Sequence, residues 1–335
     1  MFDCRYACRI TIAGLVLTIV NEVEIVEAWN EFTTTAVLKI PKRVLVKSDS
    51  QGKVALGNYV KTGDPVKVEL GYDGKLKTEF VGYVARSPKP TMPLEIMCED
   101  EMWQLKRKSV SGKTFTNARL SEVIKHIAPG YKTDVLDINI DRLIIGLPTP
   151  ETAAQVLKKL KDDWGLQSFF RLDKSLNPVL VVGKPQLWNL SSQKEVYPDE
   201  AVYHLQRNVA DNALEYKSKE DARVKMEYKL RLANGRVENC PFTGDQDGEV
   251  RSITFVGVSM ATVTQWAKED YLRHKKDGYA GDITGFGIPY TRAGQIARIV
   301  DADFEVRDSR YIIDRVVVQF GQGGFRRINT IGYQV

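Results

Sequence analysis

Glu99-Asp100-Glu101 is the densest acidic cluster in the chain. A pair of close carboxylates is what glycoside hydrolysis needs, and a set of them suits a hard cation. The run closes a strand-like segment, however, and neighbouring side chains on a strand point to opposite faces. Consecutive acids do not converge there, so the cluster reads as a strand end or a structural contact. Asp245-x-Asp247-Gly248-Glu249 has some acids of a calcium loop but lacks the spaced acids before the glycine and the distant glutamate after it. It reads as a surface turn. His126, His204 and His274 stand apart, and no Ser or Cys near them sits in a nucleophile-elbow context. Cys4, Cys8, Cys98 and Cys240 are too scattered for a disulfide framework, and the one close pair has no histidine beside it for zinc. Gly321-Gln322-Gly323-Gly324 follows an apolar run, as a phosphate loop does. Such a loop hands its anion to a helix N-terminus, and none follows. The next residues, Phe325 to Ile331, alternate as a strand, so the glycines turn a hairpin. Trp29, Trp103, Trp164, Trp188 and Trp266 sit singly, as core anchors rather than stacking platforms for bases. The expectation is therefore no catalytic, cofactor-binding or metal-ligating residue.

The elements that carry these residues are mostly strands. A chain of 335 residues, 43% hydrophobic and 27% charged, is ordinary globular material for two or three domains. A net charge of +5 is too thinly spread for a dedicated nucleic-acid binder. Residues 10–20 are as apolar as a signal-peptide core, but Asn21, Glu22 and Glu24 follow with no small-residue cleavage site, and the run is too short to span a bilayer. Ala13-Gly14 splits it into a hairpin. The cysteine usage fits a chain made in a reducing cytoplasm.

Strands are predicted at 8–12, 15–20, 23–28, 33–40, 66–70, 76–84 and 94–98, with a tight turn at Asp73-Gly74. Pro88, Pro90 and Pro93 belong to the connection before the last of these. The middle of the chain predicts helices over 120–127 and from Thr149-Pro150-Glu151 to Gly165, the second carrying the apolar stripe Ala153, Val156, Leu157, Leu160 and Trp164. Strands at 167–172 and 179–182 complete a small α/β unit. Beyond Tyr203 the pattern returns to strands. Met226, Tyr228, Leu230 and Leu232 alternate with Lys225, Glu227, Lys229 and Arg231 up to an Asn234-Gly235 turn, which predicts a barrel strand with one charged face. One helix, with Met260, Val263, Ala267 and Tyr271 on its apolar side, runs to Gly278.

Two distant segments match. Residues 59–68 and 290–299 both read Tyr-x-basic-x-Gly-x-x-x-basic-Val/Ile. With one inserted residue, 80–84 then falls opposite 312–316. This predicts duplicated β domains, in which Gly63 and Gly294 hold the same turn position. Three chains with two equivalent domains each make a ring of six similar units that has three-fold symmetry.

Phe80-Val81-Gly82-Tyr83-Val84, the Pro-rich loop, Leu94-Glu95-Ile96-Met97-Cys98-Glu99-Asp100 and Leu105 resemble the first-barrel signature of bacteriophage baseplate hub proteins. These are the Mu-like and late-control-type tail hubs, related to the hub half of type VI secretion spikes. Gly63-Asp64-Pro65-Val66-Lys67-Val68, the helix at 152–160 with Gly165-Leu166, and Gly281-Asp282 through Gly294 to Tyr311-Ile312-Ile313-Asp314-Arg315-Val316 resemble further parts of that family. The resemblance implies a mainly β fold with α+β insertions: a first β-barrel domain at 1–105, a small α/β domain at 106–205 and a second β-barrel domain with an inserted helix at 206–335. It implies a non-enzymatic homotrimeric ring in the virion tail baseplate, assembled in the host bacterial cytoplasm. Its partners would be the hexameric tail tube, a separate spike or needle protein and the tape-measure protein, with no specific nucleic acid and no membrane insertion. The chain departs from the secretion-spike pattern in ending after the second barrel. The competing reading is a tail-tip cell-wall hydrolase with Glu99 or Asp100 as acid, or a carbohydrate-binding β-module.

Overall fold

A computed structural model describes residues 5–45, 53–135, 143–147, 151–183, 196–197, 199–232, 236–256 and 258–335. Cys4, Thr149, Pro150, Trp188 and the Asn234-Gly235 turn lie outside them.

The first β region holds β1 (Tyr6–Ile12), β2 (Leu15–Leu17), β3 (Glu22–Ala28), β4 (Thr35–Ile40), β5 (Arg43–Leu45), β6 (Lys53–Ala55), β7 (Pro65–Tyr72), β8 (Lys75–Val84) and β9 (Leu94–Glu99). The middle holds α1 (Met102–Leu105), β10 (Ser109–Val110), β11 (Lys113–Ala118), α2 (Leu120–Ile127), β12 (Lys132–Val135), β13 (Leu143–Leu147), β14 (Glu151–Thr152), α3 (Ala153–Trp164), β15 (Gln167–Leu172) and β16 (Pro178–Gly183). The last region holds β17 (Ala201–His204), β18 (Val209–Lys217), β19 (Val224–Arg231), β20 (Val237–Asn239), β21 (Glu249–Val256), α4 (Met260–His274), β22 (Gly278–Phe286), β23 (Ile296–Val300), β24 (Ser309–Gly321) and β25 (Gly324–Gln334).

The protein is mainly β, and its centre is one thirteen-stranded sheet running β18-β22-β25-β24-β3-β4-β9-β8-β7-β1-β2, with β23 and β17 branching from β24. Antiparallel pairing of β24 with β3, Val317 opposite Val26, carries the sheet from the last β region into the first. Two separate closed barrels were the expectation. Among the described residues no strand pair closes either region into a barrel, because this β3–β24 ladder uses the edges that closure would need. Period-two alternation supplies the core: Cys8, Ile10 and Ile12 of β1 are buried beside Val66, Val68 and Leu70 of β7. Residues of both regions, from Ile25 and Phe80 to Tyr203, Ile313 and Phe325, share that one core.

The predicted hairpins form where the turn residues stand. Ala13 and Gly14 take φ 50° and 76°, Asp73 and Gly74 take 51° and 76°, and Gly321 pairs directly with Gly324. Positive φ at both central residues is the type I′ conformation, which the first two hairpins adopt; the third turns through Gln322-Gly323 and takes its positive φ at the flanking Gly324, 99°.

Helix α2 spans the expected residues, and the α3 stripe Ala153, Val156, Leu157, Leu160 and Trp164 is buried against a second core with α2 and β16. The α3 N-cap is Thr152, not Thr149: its Oγ1 accepts from Gln155 N at 3.2 Å, with Gln155 returning to the Thr152 backbone. Glu151-Thr152 is instead a short strand paired with β10. Gly165 stops the helix at φ 65°.

Strand β19 is not in a barrel. It is central in a separate three-stranded sheet, β20-β19-β21, whose core packs Met226, Tyr228 and Leu230 with Val263 and Ala267 of α4. Lys225, Glu227, Lys229 and Arg231 take the other face, as the alternation predicts. Helix α4 ends at His274, and Gly278 opens β22 rather than ending the helix.

Candidate functional site

The duplicated segments meet the sheet in the same way. Gly63 and Gly294 both adopt left-handed backbone, φ 92° and 87°. Gly63 N donates to Val84 O at 2.8 Å and Val84 N to Asp64 O at 2.9 Å; Gly294 N donates to Ile313 O at 2.7 Å and Ile313 N to Gln295 O at 2.9 Å. In each copy the side chain after the glycine folds back, Asp64 Oδ2 accepting from Lys61 N at 2.7 Å and Gln295 Oε1 from Arg292 N at 3.1 Å. The pairing matches Val84 with Ile313, not with Val316, so the second copy is shorter between turn and strand and needs no insertion. The copies differ outside this unit: β7 is flanked by antiparallel β1, and β23 by parallel β17.

Beside the second turn, two arginines fasten the β regions together. The β7–β8 ladder skips Glu79, with Val68 opposite Phe80 and Glu69 opposite Thr78, so Glu79 is a β-bulge residue. A bulge re-aims a side chain and frees carbonyls from the ladder. Arg292 takes those carbonyls, donating from Nη2 to Thr78 O at 2.9 Å and from Nη1 to Glu79 O at 2.8 Å. Its Nη1 also reaches Glu27 Oε2 of β3 at 2.6 Å, and its Nε reaches Tyr290 Oη at 2.6 Å. The Glu79 carboxylate itself is buried against Arg327 of β25, Nη2 to Oε1 at 2.5 Å, with each residue 1% exposed. Arg327 Nη1 further donates to Thr291 O at 3.1 Å. A buried chain continues from Thr291 Oγ1 to Asn329 Oδ1 at 2.6 Å and from Asn329 Nδ2 to Tyr203 Oη at 2.8 Å. This polar seam holds the two regions in one fixed register.

The acidic cluster separates as expected. Glu99 pairs with Lys106 at 2.7 Å. Glu101 accepts from Tyr131 Oη at 2.7 Å and Tyr83 Oη at 3.1 Å. Asp100 accepts from Thr34 N and Met102 N, both at 3.0 Å, and so ties β4 to the start of α1. Burial pushes the Asp100 carboxyl up to about 7, against the opposing pull of those two donors. An acid whose pKa is higher folded than unfolded binds extra protons in the folded state between the two values. Its contribution to stability is therefore full below about pH 4 and is lost as pH rises to about 7. The stability of the native chain relative to Asp100→Asn should fall across that window and level off above it. Urea unfolding of both proteins from pH 4.5 to 8 checks this; a difference that grows with pH would contradict it.

Asp245 is a turn anchor, accepting from Lys275 Nζ at 2.8 Å and Val224 N at 3.1 Å, while Asp247 faces Arg223. The Lys275 hydrogen bond holds the Asp245 carboxyl below its ordinary range. Among the described residues no group of three His, Cys, Asp or Glu side chains is placed to hold a metal ion. His126 lies on α2 against Ser111 O, His204 ends β17, and His274 closes α4 beside Asp270 at 3.6 Å. The three histidines do not come together. Cys8, Cys98 and Cys240 are buried thiols, and burial pushes Cys98 up to about 12. Trp164 is buried, and Trp29, Trp103 and Trp266 are half-buried. Among the described residues no helix is long and apolar enough to cross a membrane.

On the charged face of β19, Lys225 lies 3.1 Å from Glu227 and Arg231 3.6 Å from Asp163 of α3. Cations already facing carboxylates leave little for a phosphate backbone. Replacing Lys225, Lys229 and Arg231 with glutamine should leave duplex-DNA retention unchanged at low and moderate salt. Strong, steeply salt-dependent binding that the triple variant loses would contradict this.

The solved structures that resemble this chain do so from end to end. The 43 kDa tail protein of prophage MuSo2 from Shewanella oneidensis superposes with a TM-score of 0.59 over 98% of each chain at 15% identity. The chain shares the fold of phage tail proteins. A tail protein from Neisseria meningitidis gives a TM-score of 0.61 at 15% identity, over 98% of this chain and 96% of its own. An E. coli component of the type VI secretion system, itself described as similar to two T4 bacteriophage tail proteins, gives 0.56 at 12% identity, over 96% of this chain and 76% of its own. No protein-family model and no curated protein matches the chain.

Within this tail-protein fold, Glu79 and Arg327 are the positions that the sequence does not single out, and Arg292 stands out only as the basic residue of the repeat. The alternation of Phe80, Gly82 and Val84 runs on smoothly past the bulge, so nothing local marks Glu79 as buried. Arg327 and Asn329 do carry a signal: they share the period of Phe325 and Ile331, and the whole face is buried.

Proposed function

We propose that the protein is the structural hub of a phage or phage-like tail baseplate, a homotrimeric ring that adapts the hexameric tail tube to a trimeric spike and lines the channel between them. The observation that carries this reading is the repeated turn at Gly63 and Gly294, with matching hydrogen bonds in two β regions of one chain. Two such units per chain give three chains six similar faces, enough to meet a six-fold tube with three-fold symmetry. The end-to-end likeness to phage tail proteins and to a type VI secretion component supports the same reading.

In this reading residues 1–105 and 206–335 are the two mainly β halves and 106–205 the unit between them. The partners are further copies of the chain, the tube, a separate spike and the tape-measure protein. The chain is a scaffold rather than an enzyme, which the separate structural partners of Glu99, Asp100 and Glu101 favour. It resides in the virion tail. Antibody-gold labelling of intact particles should mark the distal tip of the tube. Label along the sheath or at the head end, or release of reducing ends from purified peptidoglycan by the isolated chain, would overturn the reading.

A further inference from the structure

The duplication extends beyond its turn. The first β region supplies β3, β4, β7, β8 and β9, which lie in the sheet as β3-β4-β9-β8-β7. The last region supplies β18, β22, β23, β24 and β25, which lie as β18-β22-β25-β24-β23. The order is the same, and every neighbouring pair is antiparallel in both. The registers agree as well. Ile25 lies opposite Ala36, Ala36 opposite Cys98 and Cys98 opposite Val84. Leu214 lies opposite Gly281, Gly281 opposite Ile331 and Ile331 opposite Ile313. Val84 and Ile313 are the residues bonded to the two repeated turns. Strand β18 is therefore the counterpart of β3, with Leu214 in the place of Ile25.

The two counterparts differ at their outer edge. Strand β24 covers that of β3, and one of the seven β3 residues is exposed. Strand β18 ends the sheet; among the described residues no strand pairs with its outer side, and seven of its nine residues are exposed. A long open edge is a template for another strand. What covers β3 is the part of β24 beyond Ile313. Its counterpart is the chain beyond Val84, which runs along β9: Ala85 N donates to Met97 O at 2.8 Å and Lys89 N to Glu95 O at 2.9 Å. Glu95 stands three residues before Cys98, and Ile328 three before Ile331. Lys89, opposite Glu95, thus takes the place of Val317, opposite Ile328 and Val26. The β18 residue in the place of Val26 is Glu215. One chain does not join them, since β22, β25, β24, β3, β4 and β9 lie between.

We infer that residues 85–90 of one chain pair antiparallel with β18 of a neighbouring chain, Lys89 opposite Glu215, repeating between molecules the ladder that β24 and β3 make within one. This rests on the ring reading and names its contact. Charge fits: residues 85–92 carry Arg86 and Lys89 and no acid, while β18 carries Asp211 and Glu215 against Lys217. The main chain fits too. Lys89 spends its N–H on Glu95, so Pro88 and Pro90 face outward with carbonyls and no N–H. Two such segments cannot pair with each other and need a strand that brings donors. The Ala213 carbonyl is aimed at Gly281 of β22, so alternation turns the N–H groups of Leu214 and Tyr216 outward. Unlike edges joined head to tail close a ring rather than a two-fold dimer.

The test uses tail tips carrying the full chain with Cys4→Ser, Lys89→Cys and Glu215→Cys. Cys8, Cys98 and Cys240 are buried and stay. Opposed residues of an antiparallel pair that do not bond each other stand about 4.5 Å apart at Cα, within disulfide reach. After mild oxidation most of the chain should run at three times its mass, and either single variant at one. Tyr216→Cys in place of Glu215→Cys turns the thiol to the other face and should lose most of that cross-link; equal cross-linking from both positions overturns the register. Native mass of the unoxidised complex separates the two readings: three copies without the cross-link overturn the edge pairing alone, and a complex with a single copy overturns both. Hydrogen exchange on the unaltered chain is the second arm. In the tail tip the Leu214 and Tyr216 amides should exchange at least about tenfold more slowly than in the separated chain. Equal exchange in a three-copy complex overturns the pairing.

Discussion

Arg327→Met should lose about 3–5 kcal/mol of unfolding free energy, because it strands the Glu79 carboxylate in a site that is almost wholly buried. The loss comes less from the missing attraction than from the desolvated charge left behind. The double variant Glu79→Leu with Arg327→Met removes that charge and should recover at least half of the loss, since buried ion pairs replaced by apolar residues are often neutral or stabilising. Urea unfolding of the three proteins decides it. A double variant no more stable than Arg327→Met would mean that the seam's stability lies in the carbonyl contacts of Arg327, to Thr291 and Gly287, and not in the pair.

Gly82→Ala is the second large effect. A Cβ at this position would sit 2.1 Å from Glu99 O and 2.9 Å from Asp100 Cα, both backbone atoms. Neither can swing away as a side-chain tip would, so the end of β9 must move off β8. That movement also disturbs Asp100, which fixes β4 and the start of α1. Overpacking of this kind costs about 3 kcal/mol. Thermal unfolding should show the loss. The same change at Gly14, which has nothing within 4 Å, should show only the smaller strain of its positive φ. Equal losses at the two positions would contradict the steric argument.

The sequence and the structure agree where the cause is local. Hairpin turns at Ala13-Gly14, Asp73-Gly74 and Gly321–Gly324 follow from residues that accept positive φ, and α2 and α3 follow from apolar spacing and caps. The duplicated turn was legible because its glycine and its basic residue repeat in order. What stayed hidden depends on distant pairing. Nothing near Val26 or Val317 says that β3 will join β24, and so the two expected barrels appear as one continuous sheet. The register of the second copy is hidden for a related reason: the apolar runs Ile312-Ile313 and Val316-Val317-Val318 fit several offsets, and the Gly294–Ile313 hydrogen bond fixes one. The seam was hidden because a bulge turns Glu79 inward against the period that its neighbours keep.

The ring is the part of the proposal on which the rest of the function depends, and counting chains tests it most directly. Purified tail tips or the isolated baseplate complex, released gently and weighed by native mass spectrometry, should contain this 37.8 kDa chain in three copies per ring. Ring-forming subunits bury large permanent interfaces, on the order of 2,000 Å² or more, so the three copies should leave the particle together. Six copies, or a single copy, in that complex would contradict the proposal that each chain supplies two of six similar units.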